Sequence, residues 1–263
     1  GCCSNHEIAD IFTEWNKGEL RSYLIVITAS VLREKDDFTD GDLVDKIEDA
    51  AQQKGTGRWT SMESLEQGVN LSMITGAVYA RILSGMLSER KAADLGAPSV
   101  QPVPDRKAFV ETVRQGLYIG KIAAYAQGFA LMKAASEHYA WGLEFGKIAS
   151  IFRAGCIIQA AFLGDITAAF ARNAALDNLL LDPVFAQRVR AGHTALREVA
   201  AQGVLCGVPM PVMTSAVSYL DGYRGAPVGA NLIQAQRDCF GAHTYHRIDR
   251  EGVFHHEWGR SDA

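Results

Sequence analysis

The segment HEIADIFTEWNKGELRSYLIVITASVLRE, residues 6–34, decides the fold class. Its apolar residues recur at the spacing of one face of an α-helix: Ile8, Ile11, Phe12, Trp15, Leu20, Tyr23, Leu24 and Ile27. The same periodicity returns in residues 43–53, 61–67, 71–93, 105–139, 147–171, 184–202 and 212–223. Because alternating strand patterns are nearly absent and Gly/Pro clusters separate these segments, the sequence predicts an all-α fold.

Three short motifs occur twice in the same order. IAxIF starts at 8 and 148, LxxITA at 24 and 163, and GV at 68 and 207. We therefore predict one helical domain, residues 1–225, that contains duplicated units at 6–96 and 145–225, followed by an extended tail at 226–263. At the offset of the last two motifs Arg81 corresponds to Leu220, and residues 54–60 have no counterpart near His193. A site used once diverges between copies, so this asymmetry favours the surroundings of Lys54 and Arg81 as the functional region.

Charge and cysteine content exclude several classes of partner. The formal net charge of -4 gives no overall attraction to nucleic acid or to an anionic membrane, and no apolar run approaches the length of a membrane span. Any bound anion therefore needs a local cluster of cations. The five cysteines form no CxxC pair, and Cys156, Cys206 and Cys239 lie in apolar segments. We expect buried, reduced thiols there, which favours the cytosol.

The segment QKGTGRWT, residues 53–60, is the most informative loop candidate. It follows a predicted helix ending near Gln53. Glycines let backbone N–H groups approach an anion, while Lys54 adds a charge and Thr56 a hydroxyl. The alternative is an ordinary helix cap and surface turn with Lys54 in solvent. The loop lacks the third glycine of a dinucleotide fingerprint, and its lysine precedes the glycines, unlike the lysine of a Walker loop.

The C-terminal tail combines apolar and histidine-rich sequence. Arg237 and His243 lie on either side of a predicted helix end at Gly241. His243 and His246 straddle that break without a further ligand, so we predict no metal site, and we interpret His255 and His256 as a solvated terminus. The apolar tail residues are expected to pack on the chain's own helices or on a second subunit: Leu232, Ile233, Phe240, Tyr245, Phe254 and Trp258.

Taken together, these features resemble the C-terminal domain of the decarboxylating 6-phosphogluconate dehydrogenases. The resemblance covers nearly the whole chain and is carried by residues 14–20, 53–60, 79–81, 125–129, 152–158, 178–181, 221–224 and 231–245. It implies oxidative decarboxylation of 6-phosphogluconate to ribulose 5-phosphate with NADP and without a metal. It further implies that Lys54, Thr56 and Arg81 bind the substrate phosphate. Arg237 and His243 would contact substrate bound by the partner subunit of a homodimer.

The resemblance also implies what the chain does not contain. The Rossmann domain and the segment that supplies the general base and acid in this family are missing from the sequence, so we expect the 263-residue chain to be inactive alone. Two other classes stay open. One is a helical interaction module that binds no sugar phosphate, and the other is a related β-hydroxyacid dehydrogenase with another acidic substrate. The second would leave the cations of the loop and the tail unpaired.

Overall fold

In the computed structural model, residues 3–96, 98, 105–225 and 227–259 are described. These residues form helices and isolated β-bridges but no strand, which confirms the all-α prediction. The α-helices are α1 (Asn5–Trp15), α2 (Tyr23–Val31), α3 (Thr56–Glu66), α4 (Ser72–Ser84), α5 (Leu87–Ala92), α6 (Arg106–His138), α7 (Phe145–Ile151), α8 (Leu163–Arg172), α9 (Pro183–Leu205), α10 (Pro211–Tyr223) and α11 (Ala230–Gly241). Two 3-10 turns lie at Leu43–Lys46 and Leu179–Leu181.

The segment 6–34 is two helices rather than one. A capping box at Ser4 starts α1, which ends at Trp15. The Asn16 side chain then accepts a hydrogen bond of 3.1 Å from the Ser22 N–H, and the Ser22 hydroxyl in turn caps α2. These side-chain contacts close a turn over residues 16–22. Apolar periodicity does not detect the turn, because Leu20 within it is buried as a helical residue would be.

The predicted helix at 43–53 is wrong after residue 46. Ile47 is extended, and the chain continues without helix to Gly55. Polar groups of residues 49–51 form hydrogen bonds with residues that are distant in sequence. Arg90 donates to the Asp49 carbonyl at 3.0 Å and to its carboxylate at 2.7 Å, and the Ala51 N–H donates to Ser84 Oγ at 2.9 Å. These contacts with α4 and α5 replace the local hydrogen bonds of a helix.

Two further periodic segments are also divided. The segment 71–93 is broken at Gly85 and Met86 into α4 and α5. The segment 147–171 is broken into α7 and α8 by a loop in which Gly155 has a left-handed φ of 69°. Helical periodicity predicts which face is apolar, but it does not predict where the axis changes direction.

The 33-residue helix α6 is the centre of the fold. It packs closely on α9, where Gly116 lies against the backbone of Ala195 and Leu196, and Gly192 lies against the Ile119 side chain. The side chain of the fully buried Gln127 binds the start of α4: its Oε1 accepts from the Met73 N–H and its Nε2 donates to Ser72 Oγ. An aromatic cluster of Phe129, Phe145 and Phe170 joins α6 to α7 and α8.

The two halves of the predicted duplication carry corresponding features. Gly68 and Gly207 both adopt left-handed φ, 64° and 67°, in the turns after α3 and α9. A bridge pairs Ser22 with Ala160, ahead of α2 and α8, and Gly76 of α4 lies beside Ser215 of α10. Positions near the predicted offset therefore face one another, as in a pair of repeats related by approximate two-fold symmetry. This arrangement supports the duplication, which stays a hypothesis.

The chain divides into two compact units, Gly1–Tyr219 and Leu220–Ala263. The second unit contains α11, and beyond it a bridge between Tyr245 and Phe254, so the tail is only partly extended. The expectation of buried thiols is wrong for Cys239, which is exposed, while Cys156 and Cys206 are half-buried. None of the helices in the described ranges combines the length and apolarity required to cross a bilayer.

The α6–α9 contact gives a paired prediction. Gly116→Ala places a Cβ 3.2 Å from backbone atoms of Ala195 and Leu196, which cannot move without shifting α9, so we expect a loss of about 1–3 kcal/mol of stability. Gly128→Ala, on the same helix, meets no atom within 4 Å. It should stabilise the protein by up to about 1 kcal/mol through helix propensity. Chemical denaturation of both variants measures the difference, and equal stabilities would contradict the close packing.

Candidate functional site

The Lys-Gly-Thr-Gly loop forms the start of α3. Gly55 is its N-cap residue, with a left-handed φ of 97°, and Thr56 is its first residue. The prediction that the loop follows the end of a helix is therefore wrong, because residues 47–54 are not helical. The position of the loop at the start of α3 has an electrostatic consequence. The first N–H groups of a helix have no intrahelical acceptor and carry partial positive charge, so they favour an anion beyond the N-terminus.

Helices α3 and α4 pack antiparallel, and their register places Arg81. A Cβ at Gly57 would lie 2.9 Å from Val78 Cγ2, and Thr75 Oγ1 donates to Ser61 Oγ at 3.0 Å. Residue 57 thus faces 78 while 61 faces 75. Arg81, one turn beyond Val78, falls at the N-terminal end of α3. The structure therefore brings the backbone of Lys54, Thr56 and Arg81 to one end of this helix pair.

A second contact fixes the segment that leads into α3. The hydrogen bond from the Ala51 N–H to Ser84 Oγ fixes the non-helical segment against the last turn of α4, three residues before Lys54. On the other side, Trp59 Cζ2 lies 3.8 Å from the position of a Cβ on Gly55. Its indole is 62% exposed, so it borders the corner without closing it. We call this region, formed by Lys54, Thr56 and Arg81, the α3–α4 corner.

The α3–α4 corner is positively charged and open. Lys54, Thr56 and Arg81 are all exposed. Within the described part of the chain, neither cation forms an ion pair. Two cations, a hydroxyl and helix N–H groups are the donors that bind phosphate or carboxylate. The local sequence left open whether this loop is an anion site or a helix cap, and the geometry allows Gly55 to cap the helix while the cations remain available.

The tail residues lie in the second unit. Helix α11 ends at Gly241, which confirms the predicted position between Arg237 and His243. Arg237 is exposed and donates to Gln234 Oε1 at 3.0 Å. His243 is also exposed, and its ring packs edge-on against Phe240 at a centroid distance of 5.9 Å. Both residues thus present polar nitrogen atoms at the end of one helix.

His255 is exposed, as the solvated-terminus interpretation expects, but it also binds a buried carboxylate that this interpretation did not anticipate. Its Nδ1 lies 2.9 Å from Oδ1 of Asp238, a carboxylate with no exposed surface. Burial raises the pKa of Asp238, but hydrogen bonds from His255, Trp258 and two backbone N–H groups outweigh it and hold the pKa below its usual range. The sequence did not reveal this network, since its members are up to 20 residues apart.

Lys121 on α6 is a second feature that the sequence patterns did not indicate. Its amine is buried, lacks a hydrogen-bond partner among the described residues, and lies 5.7 Å from the centre of the Phe162 ring. Burial lowers the pKa of this lysine to about 8. The sequence signal that could have indicated this buried amine is the position of the lysine between two apolar residues, Ile119 and Ile122, which are both buried. Across the described ranges, no group of three or more His, Cys, Asp or Glu residues could hold a metal ion.

Known proteins provide an independent comparison. The family model described as "6-phosphogluconate dehydrogenase, C-terminal domain" matches residues 2–258. The decarboxylating 6-phosphogluconate dehydrogenase of Klebsiella pneumoniae is 54% identical over 97% of this chain and 55% of its own length. The NADP(+)-dependent, decarboxylating enzyme of Bacillus subtilis is also 54% identical, over the same shares. The chain thus spans about half the length of these curated relatives.

A solved structure shows the same fold. The 6-phosphogluconate dehydrogenase of Plasmodium falciparum, studied in its apo form and in complexes with NADP+ and 6-phosphogluconate, superimposes with a TM-score of 0.94. It is 38% identical, and the match covers 97% of this chain and 56% of that one. The sequence match, the all-helical fold and the shared coverage lead to one conclusion: the chain belongs to the 6-phosphogluconate dehydrogenase C-terminal domain family.

Proposed function

We propose that this chain is the substrate-binding and dimerisation part of an NADP-dependent, decarboxylating 6-phosphogluconate dehydrogenase. In the complete protein, NADP+ accepts a hydride from carbon 3 of 6-phosphogluconate. The resulting 3-keto acid loses carbon dioxide, and protonation of the enol gives ribulose 5-phosphate. The relatives that cover this chain carry that activity in their names. A cytosolic location is part of the proposal, supported by the free thiols of Cys3, Cys156 and Cys239.

The observation that carries the proposal is the α3–α4 corner. A phosphate monoester carries close to two negative charges at neutral pH, and the corner offers Lys54 and Arg81 without a competing carboxylate partner among the described residues. Thr56 adds a hydroxyl at the positive end of α3. Binding the phosphate here would fix one end of the substrate, and such remote binding energy can orient the reacting carbons.

The redox chemistry is assigned to the remainder of the complete protein. Hydride transfer requires a bound nicotinamide, and the relatives extend over roughly twice the length of this chain. NADP is therefore the proposed cofactor, bound mainly outside these residues, and no metal is required. We propose that the 263-residue chain alone does not oxidise 6-phosphogluconate.

The tail is proposed to serve a partner subunit in a homodimer. Helix α11 exposes Leu232, Ile233 and Phe240, and such apolar surface is typical of a protein interface. Arg237 lies on the same helix and His243 just beyond it, so a subunit that covers α11 would also come close to both polar side chains. This arrangement favours a tail that contributes Arg237 and His243 to the substrate site of its partner.

Arg81→Leu in the complete enzyme tests the corner. The change copies the residue at the corresponding position of the second repeat, Leu220. Loss of a charged phosphate contact should weaken substrate binding by on the order of 1–3 kcal/mol, raising the KM for 6-phosphogluconate about 5- to 150-fold. The KM for NADP should stay within about twofold. Steady-state kinetics measures both constants.

Lys91→Leu is the matched control, because Lys91 is an exposed cation on the neighbouring helix α5. It should leave both constants unchanged. If Arg81→Leu gave the same KM values as this control, Arg81 would be removed from the site.

Removal of residues 226–263 tests the role of the tail. If the tail holds two subunits together, the truncated protein should sediment as a monomer in analytical ultracentrifugation, and its affinity for 6-phosphogluconate should fall. A shorter deletion of residues 260–263 serves as control and should leave the dimer intact. A truncated protein that stayed a tight dimer with unchanged substrate affinity would contradict tail exchange.

A further inference from the structure

Asp238 organises the second unit although its side chain is inaccessible. Each carboxylate oxygen accepts two hydrogen bonds. Oδ1 lies 2.9 Å from the Thr244 N–H and 2.9 Å from His255 Nδ1, while Oδ2 accepts from the His256 N–H at 3.0 Å and from Trp258 Nε1 at 2.7 Å. The residue is 0% exposed. It therefore cannot touch a ligand itself, and any role in binding must act through other residues.

The hydrogen bond that the Thr244 N–H donates to Asp238 fixes the backbone on one side of His243. Ala242 and Thr244 both adopt left-handed φ, 50° and 59°, which is unfavourable for residues with a Cβ. Such a conformation persists where surrounding contacts over-determine it. Gly241 belongs to the same turn, because a Cβ at that position would lie 2.9 Å from His243 Cδ2 and Nε2. The His243 ring is thus held against Gly241 by a strained turn that Asp238 stabilises.

Gln234 connects this turn to Arg237. Its Nε2 donates to the Thr244 carbonyl at 2.6 Å, and its Oε1 accepts from Arg237 Nη1 at 3.0 Å. Thr244 therefore connects Asp238 to Gln234: its N–H donates to the carboxylate of Asp238, and its carbonyl accepts from Gln234 Nε2. The separation of Arg237 and His243 is set by hydrogen bonds within the tail before any ligand arrives.

We propose that Asp238 is a positioning residue that presets His243 to bind the anionic substrate, while Gln234 connects the same turn to Arg237. The inference rests on the proposed function, in which Arg237 and His243 contact 6-phosphogluconate. Preorganisation of this kind increases affinity because the side chains are already ordered in the free protein, so less conformational entropy is lost on binding. Asp238 lies next to Arg237 in sequence yet points into the unit, so the two roles are separate.

Four single variants of the complete enzyme test the proposal. Asp238→Asn retains the shape but replaces one acceptor oxygen by an amide donor, so at least one N–H that donates to the carboxylate loses its partner in either orientation of the amide. Gln234→Met removes both of its hydrogen bonds without disturbing the carboxylate. The matched controls are Asp249→Asn, in the exposed ion pair with Arg247, and Gln236→Met, at an exposed position of α11.

The expected result is a change confined to substrate binding. Asp238→Asn should raise the KM for 6-phosphogluconate at least tenfold and Gln234→Met about three- to tenfold, while the KM for NADP stays within twofold and the controls match the parent enzyme. In a His243→Ala background the effect of Asp238→Asn on the same KM should shrink to less than twofold. A merely structural residue would lower the melting temperature and have the same effect in both backgrounds.

The inference is overturned if both variants retain the parent KM, or if the effect of Asp238→Asn is equally large with and without His243. If Asp238→Asn does not fold, Gln234→Met decides, since it leaves the buried carboxylate and its four donors in place. Failure of the proposed function looks different, because the complete parent enzyme would then not convert 6-phosphogluconate at all. An active parent whose KM is unchanged by both His243→Ala and Arg237→Ala would remove only the tail's role and, with it, that of Asp238.

Discussion

The contact between Gly57 and Val78 is the constraint on which the α3–α4 corner depends. Val78 occupies the space that a side chain at position 57 would need, so the first turn of α3 lies directly against α4. This close approach, repeated one turn later by the bond between Ser61 and Thr75, fixes the antiparallel register. The register in turn places Arg81 at the end where Lys54 and Thr56 begin α3. A side chain at position 57 would force Val78 or the α3–α4 contact to shift.

Two contacts in this chain fit the hypothesis of a duplicated helical framework. The segments before α2 and α8 pair with each other, and α4 meets α10 at Gly76 and Ser215. The proposed site residues depart from this repeat pattern. Arg81 is exposed, whereas Leu220 at the corresponding position is buried. A duplicated scaffold can keep its packing in both copies and still devote only one of them to a ligand, and the contrast at this pair of positions fits that division.

Much of the fold was accessible from sequence because it is encoded locally. Helices α6, α9 and α10 follow their apolar periodicity closely. The turn at 16–22 and the non-helical segment after Ile47 were not predicted, since they depend on bonds to Ser22, Ser84 and Arg90, beyond the reach of a local pattern. For the same reason the family resemblance indicated Arg237 and His243 but not Asp238, whose partners lie 6–20 residues away. The asymmetry between the two proposed repeats singled out Arg81 as a candidate, but its neighbours depend on the α3–α4 register, which a local pattern does not give.

The central claim is that the α3–α4 corner holds the phosphate of the substrate. A crystal structure of the complete protein with 6-phosphogluconate tests it most directly. The account predicts phosphate oxygens within hydrogen-bond distance, about 2.7–3.2 Å, of Lys54 Nζ, the Thr56 hydroxyl or N–H, and the Arg81 guanidinium. A phosphate bound elsewhere, with Lys54 and Arg81 still in solvent, would contradict it.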